Sequence, residues 1–284
     1  MVSRHESWSP TEYADNNDMQ WRQAIEAISR LEIPPEASIL DVGSGDGRVS
    51  AELSRRVPKG SVVGADLNAA MVDYANTEVA PGFPNLSFSV CSADELINHA
   101  EYWNRFDLVT SFSTLHWVHD TSSVWNGFRK VLQTPDGPFE RIRGSTSGGG
   151  PVRVLAGFQI DHPDLWPIVD SLLASKEWSS RFDRFSDPYN HWNIQQVTRP
   201  ARHAGFDPVR MDDITCVEWF SSVESLRSFL VSWVPAFRHL EPDPAAHRAF
   251  ADAVMDHLTS VLPPRPDKSA GIRMRRIILE AELD

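Results

Sequence analysis

Cysteine is almost missing from this chain. Cys91 and Cys216 are the only two in 284 residues and lie far apart in sequence, so neither a disulfide framework nor a thiolate metal site is expected. Basic charge is short as well: 27 Lys and Arg stand against 39 Asp and Glu, for a formal net charge of -12. Binding to nucleic acid needs a sheath of cations over the phosphates, so no nucleic-acid partner is expected. Long apolar runs are also absent. No stretch approaches a membrane span, and Met1–Pro10 has no apolar core of the signal-peptide kind. The expectation is a soluble protein of a reducing compartment, the cytoplasm. His162, His191 and His239 have no metal-ligand spacing with Asp or Glu, and no metal is expected.

What the chain does have is a glycine-rich turn behind an apolar strand, Ile39-Leu-Asp-Val-Gly-Ser-Gly-Asp-Gly47, followed by a helical pattern over Arg48–Arg56. A dinucleotide fingerprint places its third glycine at the position that Arg48 holds here. In this chain that glycine comes one residue early, and Asp41 precedes the turn. A carboxylate there suits a cationic ligand better than a pyrophosphate, and S-adenosylmethionine, with its sulfonium and α-ammonium, fits. A second apolar strand, Ser61-Val-Val-Gly-Ala-Asp66, ends in another acid, 19 positions beyond Gly47. Such an acid accepts hydrogen bonds from ribose hydroxyls in doubly wound sheets. Met71, on the helix that follows, can lie against an adenine.

Strands read at Ser38–Val42, Ser61–Ala65, Leu86–Val90, Phe106–Phe112 and Val152–Phe158 alternate with helices, which argues for a parallel, doubly wound sheet. Pro208–Phe220 and Arg273–Glu280 can close it. Asn17–Leu31 shows one apolar helical face, and Ser221–Phe237 and Asp243–Leu262 also read as helices. Pro135–Gly150 has a flexible-loop composition. The N-terminal helix and Asp161–Asn193, with Trp166, Trp178 and Trp192, are the lid candidates.

Phe106-Asp-Leu-Val-Thr-Ser-Phe-Ser-Thr-Leu-His-Trp-Val-His-Asp120, running on to Leu132, resembles the fourth strand and following loop of small-molecule methyltransferases of the seven-stranded type. More narrowly it is similar to the juvenile hormone acid and trans-aconitate methyltransferase group. The spacing of Tyr13, Asn17 and Gln20 agrees, as do His203-Ala-Gly-Phe206 and Met274–Leu279. The resemblance implies an α/β, Rossmann-like, seven-stranded doubly wound sheet with helical cap elements, namely the N-terminal helix and an insertion after strand 5. It implies a single methyltransferase domain over 1–284. Within it lie an N-terminal lid (1–33), a cofactor core (34–160), cap regions (161–200 and 221–265) and closing strands (201–220 and 271–284).

The cofactor set expected on this basis is Asp41, Gly43, Ser44 and Gly45 from the first turn, Asp66, Leu67 and Met71 from the second, and Ser92, Ala93 and Ser111 beyond. The group more often has an acid where Ser92 stands; Ser92 or a shifted Asp94 can take the adenine amino group. Gln20 and Trp117 match residues that face the substrate carboxylate, and with His116 they form the candidate catalytic set. Tyr13, Trp192 and Arg276 complete the expected substrate contacts. Arg275 and Arg276 lie on one strand, where alternation sends one inward. The expected reaction is methyl-ester formation on a small carboxylic acid. A carboxylate has a pKa of roughly 4 and needs no base, whereas a phenol, roughly 10, benefits from one. O-methylation of a natural-product phenol or enol with His116 as base therefore stays open. So does a cofactor-binding protein or cyclase that transfers no methyl group. The expected partner is the small-molecule acceptor, and a homodimer is allowed but not required.

Overall fold

The computed structural model describes residues 17–133, 142–144 and 151–283. In chain order the elements are α1 (Asp18–Ile28), β1 (Leu31–Glu32), β2 (Ser38–Val42), α2 (Arg48–Arg56), β3 (Ser61–Asp66), α3 (Ala69–Tyr74), β4 (Leu86–Val90), β5 (Leu108–Phe112), α4 (Thr121–Val131), β6 (Arg143–Gly144), β7 (Val154–Asp161), α5 (Trp166–Ala174), α6 (Ile194–His203), β8 (Phe206–Phe220), α7 (Val223–Trp233), α8 (Pro235–Leu240), α9 (Pro244–Val261) and β9 (Ala270–Leu283). Seven strands form one sheet in the order β4-β3-β2-β5-β7-β9-β8. The pairs β4–β3, β3–β2, β2–β5 and β5–β7 are parallel. This is the Rossmann-like α/β sheet that the alternation of strands and helices predicts.

Parallel strands with both faces covered carry near-continuous apolar runs rather than alternation. Ile39, Leu40 and Val42 of β2 and Leu108 and Val109 of β5 are all buried. Their register, Ile39 beside Leu108 and Asp41 beside Thr110, fixes the two strand ends together. Downstream of β5, Asp120 caps α4 by accepting from the Ser123 backbone N–H at 3.0 Å. The buried face of α4 carries Val124, Trp125, Phe128 and Val131. Trp125 meets Phe128 and Phe206 at ring-centroid distances of 5.4 and 5.3 Å.

The chain divides into two compact units. The first holds residues through Phe158, then Trp192–Asp213 and Ile277 onward; the second holds Gln159–His191 and Ile214–Arg276. In the first, β1 pairs antiparallel with β6, Leu31 opposite Gly144. A short strand thus sits inside the stretch read as a flexible loop from Pro135 to Gly150; the rest of that loop, apart from 142, lies outside the described residues. In the second unit, the helix expected over Ser221–Phe237 is two helices. Pro235 lacks the N–H a helix interior requires, so Val234 turns extended and α8 restarts with Pro235 as its first residue. Trp166 and Trp178, read as lid residues, are buried within this unit, Trp166 near Trp233 (5.7 Å) and Trp178 near Phe250 (5.0 Å).

Candidate active site

A cavity of about 330 Å³ opens in the first unit, within the ~300–1,000 Å³ range of small-molecule sites. Its walls come from four chain segments, each at or just past the carboxyl end of a strand. Gly43 and Gly45 follow β2, Asp66, Leu67, Asn68 and Met71 follow β3, Cys91–Asp94 follow β4, and Phe112–Thr114 with Trp117–His119 follow β5. The strand order reverses between β2 and β5, and open α/β sheets leave their ligand crevice at such a switch.

The turn after β2 is built by backbone geometry. Gly43 and Gly47 hold φ of 75° and 84°, values that residues with a Cβ rarely adopt. A Cβ on Gly43 would overlap Thr114, and one on Gly47 would press into Phe88. The close approach these glycines allow is therefore to the protein's own side chains. Gly45 N–H donates to Asp66 Oδ2 at 2.9 Å and Asn68 N–H to Asp66 Oδ1 at 2.9 Å. Two backbone donors thus orient the acid ending β3, and each carboxylate oxygen keeps acceptor capacity for a ligand.

Asp41 corrects the sequence reading. It was expected to face the ligand, but it is buried and does not line the cavity among the described residues. Its register beside Thr110 in the sheet turns the carboxylate into the core, where Ser50 Oγ donates at 2.6 Å and Thr110 Oγ1 at 2.8 Å. Burial pushes this carboxyl up to about 6, with the charges of Asp66 and Asp46 adding to the rise. Asp41 therefore offers the cavity its charge and no contact surface. Asp46 is also buried and raised by burial. Three carboxylates thus surround one turn, and no Lys or Arg lines the cavity among the described residues. Phosphate binding has no support in such a donor set, whereas a cation does.

At the β4 end, Ser92, Ala93 and Asp94 line the cavity as Met71 and Leu67 do. The hydroxyl of Ser92 donates to Asp94 Oδ1, so the two adenine candidates form one hydrogen-bonded pair. Cys91 beside them is inert, since burial pushes its thiol up to about 12.

The segment after β5 separates neighbours of unlike fate. Ser113 takes φ 53° and donates its N–H to Gly157 O at 2.7 Å, and a short turn carries Trp117 to the cavity wall. His116 is buried, its ring 5.3 Å from that of Trp117, and does not line the cavity. Burial pulls its pKa down to about 3, so it is a neutral imidazole at any physiological pH and too weak a base for a phenol. Ser111 is likewise no wall residue; its hydroxyl donates to Val42 O at 2.9 Å and ties β5 to β2. His119, which sequence reasoning did not select, does line the cavity. The usable signal was its place one residue before the helix-capping Asp120, since the last residue of a strand-to-helix turn sits at the sheet's carboxyl edge. Phe112, Thr114 and Asn68 also line the cavity and were not selected, although each lies at or just past the carboxyl end of its strand.

The remaining candidates are not gathered at this cavity. Ser44 is buried, its hydroxyl without a partner among the described residues. Gln20 lies on α1, its side-chain oxygen buried and also without a partner there. Trp192 packs edge-on against Phe158 at 5.9 Å. Arg276 is buried on β9, in the second unit. Tyr13 lies outside the described residues.

The residues present fit an adenosyl ligand with a cationic tail: oriented Asp66 for hydroxyls, Met71 and Leu67 as apolar walls, the Ser92–Asp94 pair, and negative charge around the turn. Comparisons with known proteins agree. Residues 39–137 match a family described as "Methyltransferase domain". Juvenile hormone acid O-methyltransferase of Drosophila melanogaster is 32% identical over 255 residues, covering 86% of this chain and 74% of the relative. Trans-aconitate 2-methyltransferase of Methylobacterium radiotolerans is 23% identical over 291 residues, covering 96% and 97%. Among solved structures, phosphoethanolamine N-methyltransferase 2 of Haemonchus contortus in complex with S-adenosyl-L-methionine superimposes with a TM-score of 0.56 at 17% identity, over 100% of this chain and 61% of that one. The chain belongs to the class I S-adenosylmethionine-dependent methyltransferases, in the group of the juvenile hormone acid and trans-aconitate enzymes.

Proposed function

We propose that the enzyme methylates a carboxylate oxygen of a small, partly apolar organic acid, giving a methyl ester. The observation that carries this reading is the state of His116. The residue best placed in sequence to serve as a base is buried, neutral and absent from the cavity wall. An acceptor that is already ionised needs no base. The names of the two curated relatives, which act on juvenile hormone acid and on trans-aconitate, support the same acceptor class.

When bound, the cofactor would supply an electrophilic methyl group on a sulfonium; the protein's own part is to position and shield. Asp66 would accept hydrogen bonds from the ribose hydroxyls, Leu67 and Met71 would flank the adenine, and Asp94, held by Ser92, would take the adenine amino group. Asp41 and Asp46 favour the cation at the Gly43–Gly47 turn through their charge. On the other side Phe112, Trp117 and Val118 give an apolar wall. That matters because a carboxylate meeting a sulfonium loses charge in the transition state. Strong polar contacts would stabilise the reactants more than the transition state, whereas a dry wall with few hydrogen bonds does not. Trp117 supplies one of those few bonds from the cavity wall, and Gln20, which lies outside that wall, would add another when α1 closes over the acceptor. The whole chain is read as one methyltransferase domain.

Incubation with methyl-labelled cofactor and a panel of aliphatic and polycarboxylic acids tests the reading. Label recovered as methanol after mild alkali supports an ester; label in an alkali-stable product contradicts it. The second reading, a phenol or enol acceptor, is favoured only by His119 on the cavity wall. His119→Gln separates the two. Turnover within about threefold of wild type fits a carboxylate, and a loss of about 10²-fold or more fits a base-requiring acceptor.

A further inference from the structure

We propose that Asn17 is a positioning residue that fastens α1 to the cofactor turn, so that cofactor binding at Gly43–Gly47 orders the helix carrying Gln20. An Asn just before a helix normally turns its side chain onto the helix's own free N–H groups. Asn17 makes no such cap bond. Its buried amide reaches across the fold instead: Nδ2 donates to Asp46 Oδ2 at 2.6 Å, and Oδ1 accepts from Arg48 Nη1 at 2.7 Å. Both ends of one amide thus grip the two residues that flank Gly47.

Arg48 extends the grip along the helix. The same Nη1 donates to Asp18 Oδ1 at 2.8 Å, and the guanidinium lies over the Trp21 ring, 5.0 Å from its centroid. Asp46 in turn accepts the Arg48 backbone N–H at 3.2 Å, closing the turn on itself. Any shift of the turn on ligand binding therefore moves the first turn of α1. Gln20 stands three residues beyond Asn17, on the same helix face, and its buried side-chain oxygen has no hydrogen-bond partner among the described residues. A buried orphan acceptor implies a donor that arrives with a ligand or a closing motion. The latch thus gives the enzyme an order of events: cofactor first, then an organised α1.

This rests on cofactor binding in the described cavity, and the test keeps the two apart. S-adenosylhomocysteine binding is measured by calorimetry on the full chain, and amide exchange of 18–28 is followed with and without that ligand. Asn17→Ala and Asn17→Asp should each raise the dissociation constant about tenfold and abolish ligand-induced protection of α1, with the apo melting temperature recording any loss of fold. The pair Asn17→Asp with Asp46→Asn reverses the donor and restores the bond, so it should bind at least about threefold more tightly than either Asn17→Asp or Asp46→Asn alone. If Asn17→Ala fails to fold, the comparison of Asn17→Asp with the double variant decides. Unchanged affinity in the single variants, no rescue in the double variant, or α1 exchange that ignores the ligand in wild type overturns the latch. Failure of wild type to bind at all overturns the site itself.

Discussion

Asp41 shows why a residue's place in a motif and its place in space must be separated. Sequence puts a carboxylate beside the glycine turn, and the sheet register then buries it between Ser50 and Thr110. Its folded pKa, raised by burial to about 6 from 3.8, means the native state holds this proton more tightly than the unfolded chain does. Stability from this group is therefore full below the unfolded pKa and is lost as pH rises toward the folded one. The shift corresponds to about 3 kcal/mol of cost for the buried charge at neutral pH. Asp41→Asn should raise the apo melting temperature at neutral pH, with the gain vanishing in melts taken near pH 4; a gain independent of pH contradicts the assignment. The same variant should weaken cofactor binding, because the charge that strains the fold is the one that favours the sulfonium. At Asp66 the expected loss is larger. Asp66→Ala removes the group that Gly45 and Asn68 orient, and charged hydrogen bonds are worth roughly 1.5–3 kcal/mol each, so S-adenosylhomocysteine affinity should fall about 100-fold or more by calorimetry.

Among the elements, the glycine turn is the one that packing fixes most tightly. Gly43→Ala places a Cβ at φ 75° and against Thr114. Scanning calorimetry should find it destabilised by about 3 kcal/mol, at the upper end of ordinary substitutions; a change below about 0.5 kcal/mol would mean the turn adapts. Element existence was legible from sequence wherever periodicity and punctuation agreed. The strands at Ser38–Val42 and Leu86–Val90 and the helix over Arg48–Arg56 have the ends that were read. Asp243 caps α9 as its position implies, accepting from the Ala246 N–H at 3.1 Å. The split between α7 and α8 was also there to be read at Pro235. What one sequence does not encode locally is which side of a short turn a residue takes. Neighbours such as His116 and Trp117 part ways only because β5, β2 and the packed core fix the direction of the turn. The loop partner of β1 had no local signal at all, since a two-residue strand carries no period.

For the whole molecule, the switch between β2 and β5 gathers four loop segments around one cavity. That gathering was implied by the family resemblance and by the acid spacing, not by composition. The low content of Lys and Arg showed its meaning here: the cavity wall has none among the described residues. Ten tryptophans gave a weaker signal, because Trp125, Trp166, Trp178 and Trp233 serve as core and Trp117 alone of these five lines the site. No helix among the described residues is long and apolar enough to cross a membrane. The central claim is methyl transfer to an oxygen that needs no deprotonation. It is tested most directly by the pH dependence of kcat, at saturating cofactor, with an acid from the labelled panel. The account predicts a profile flat within about twofold from about pH 6.5 to about pH 9. A tenfold rise per pH unit across that range would show a base at work and contradict it.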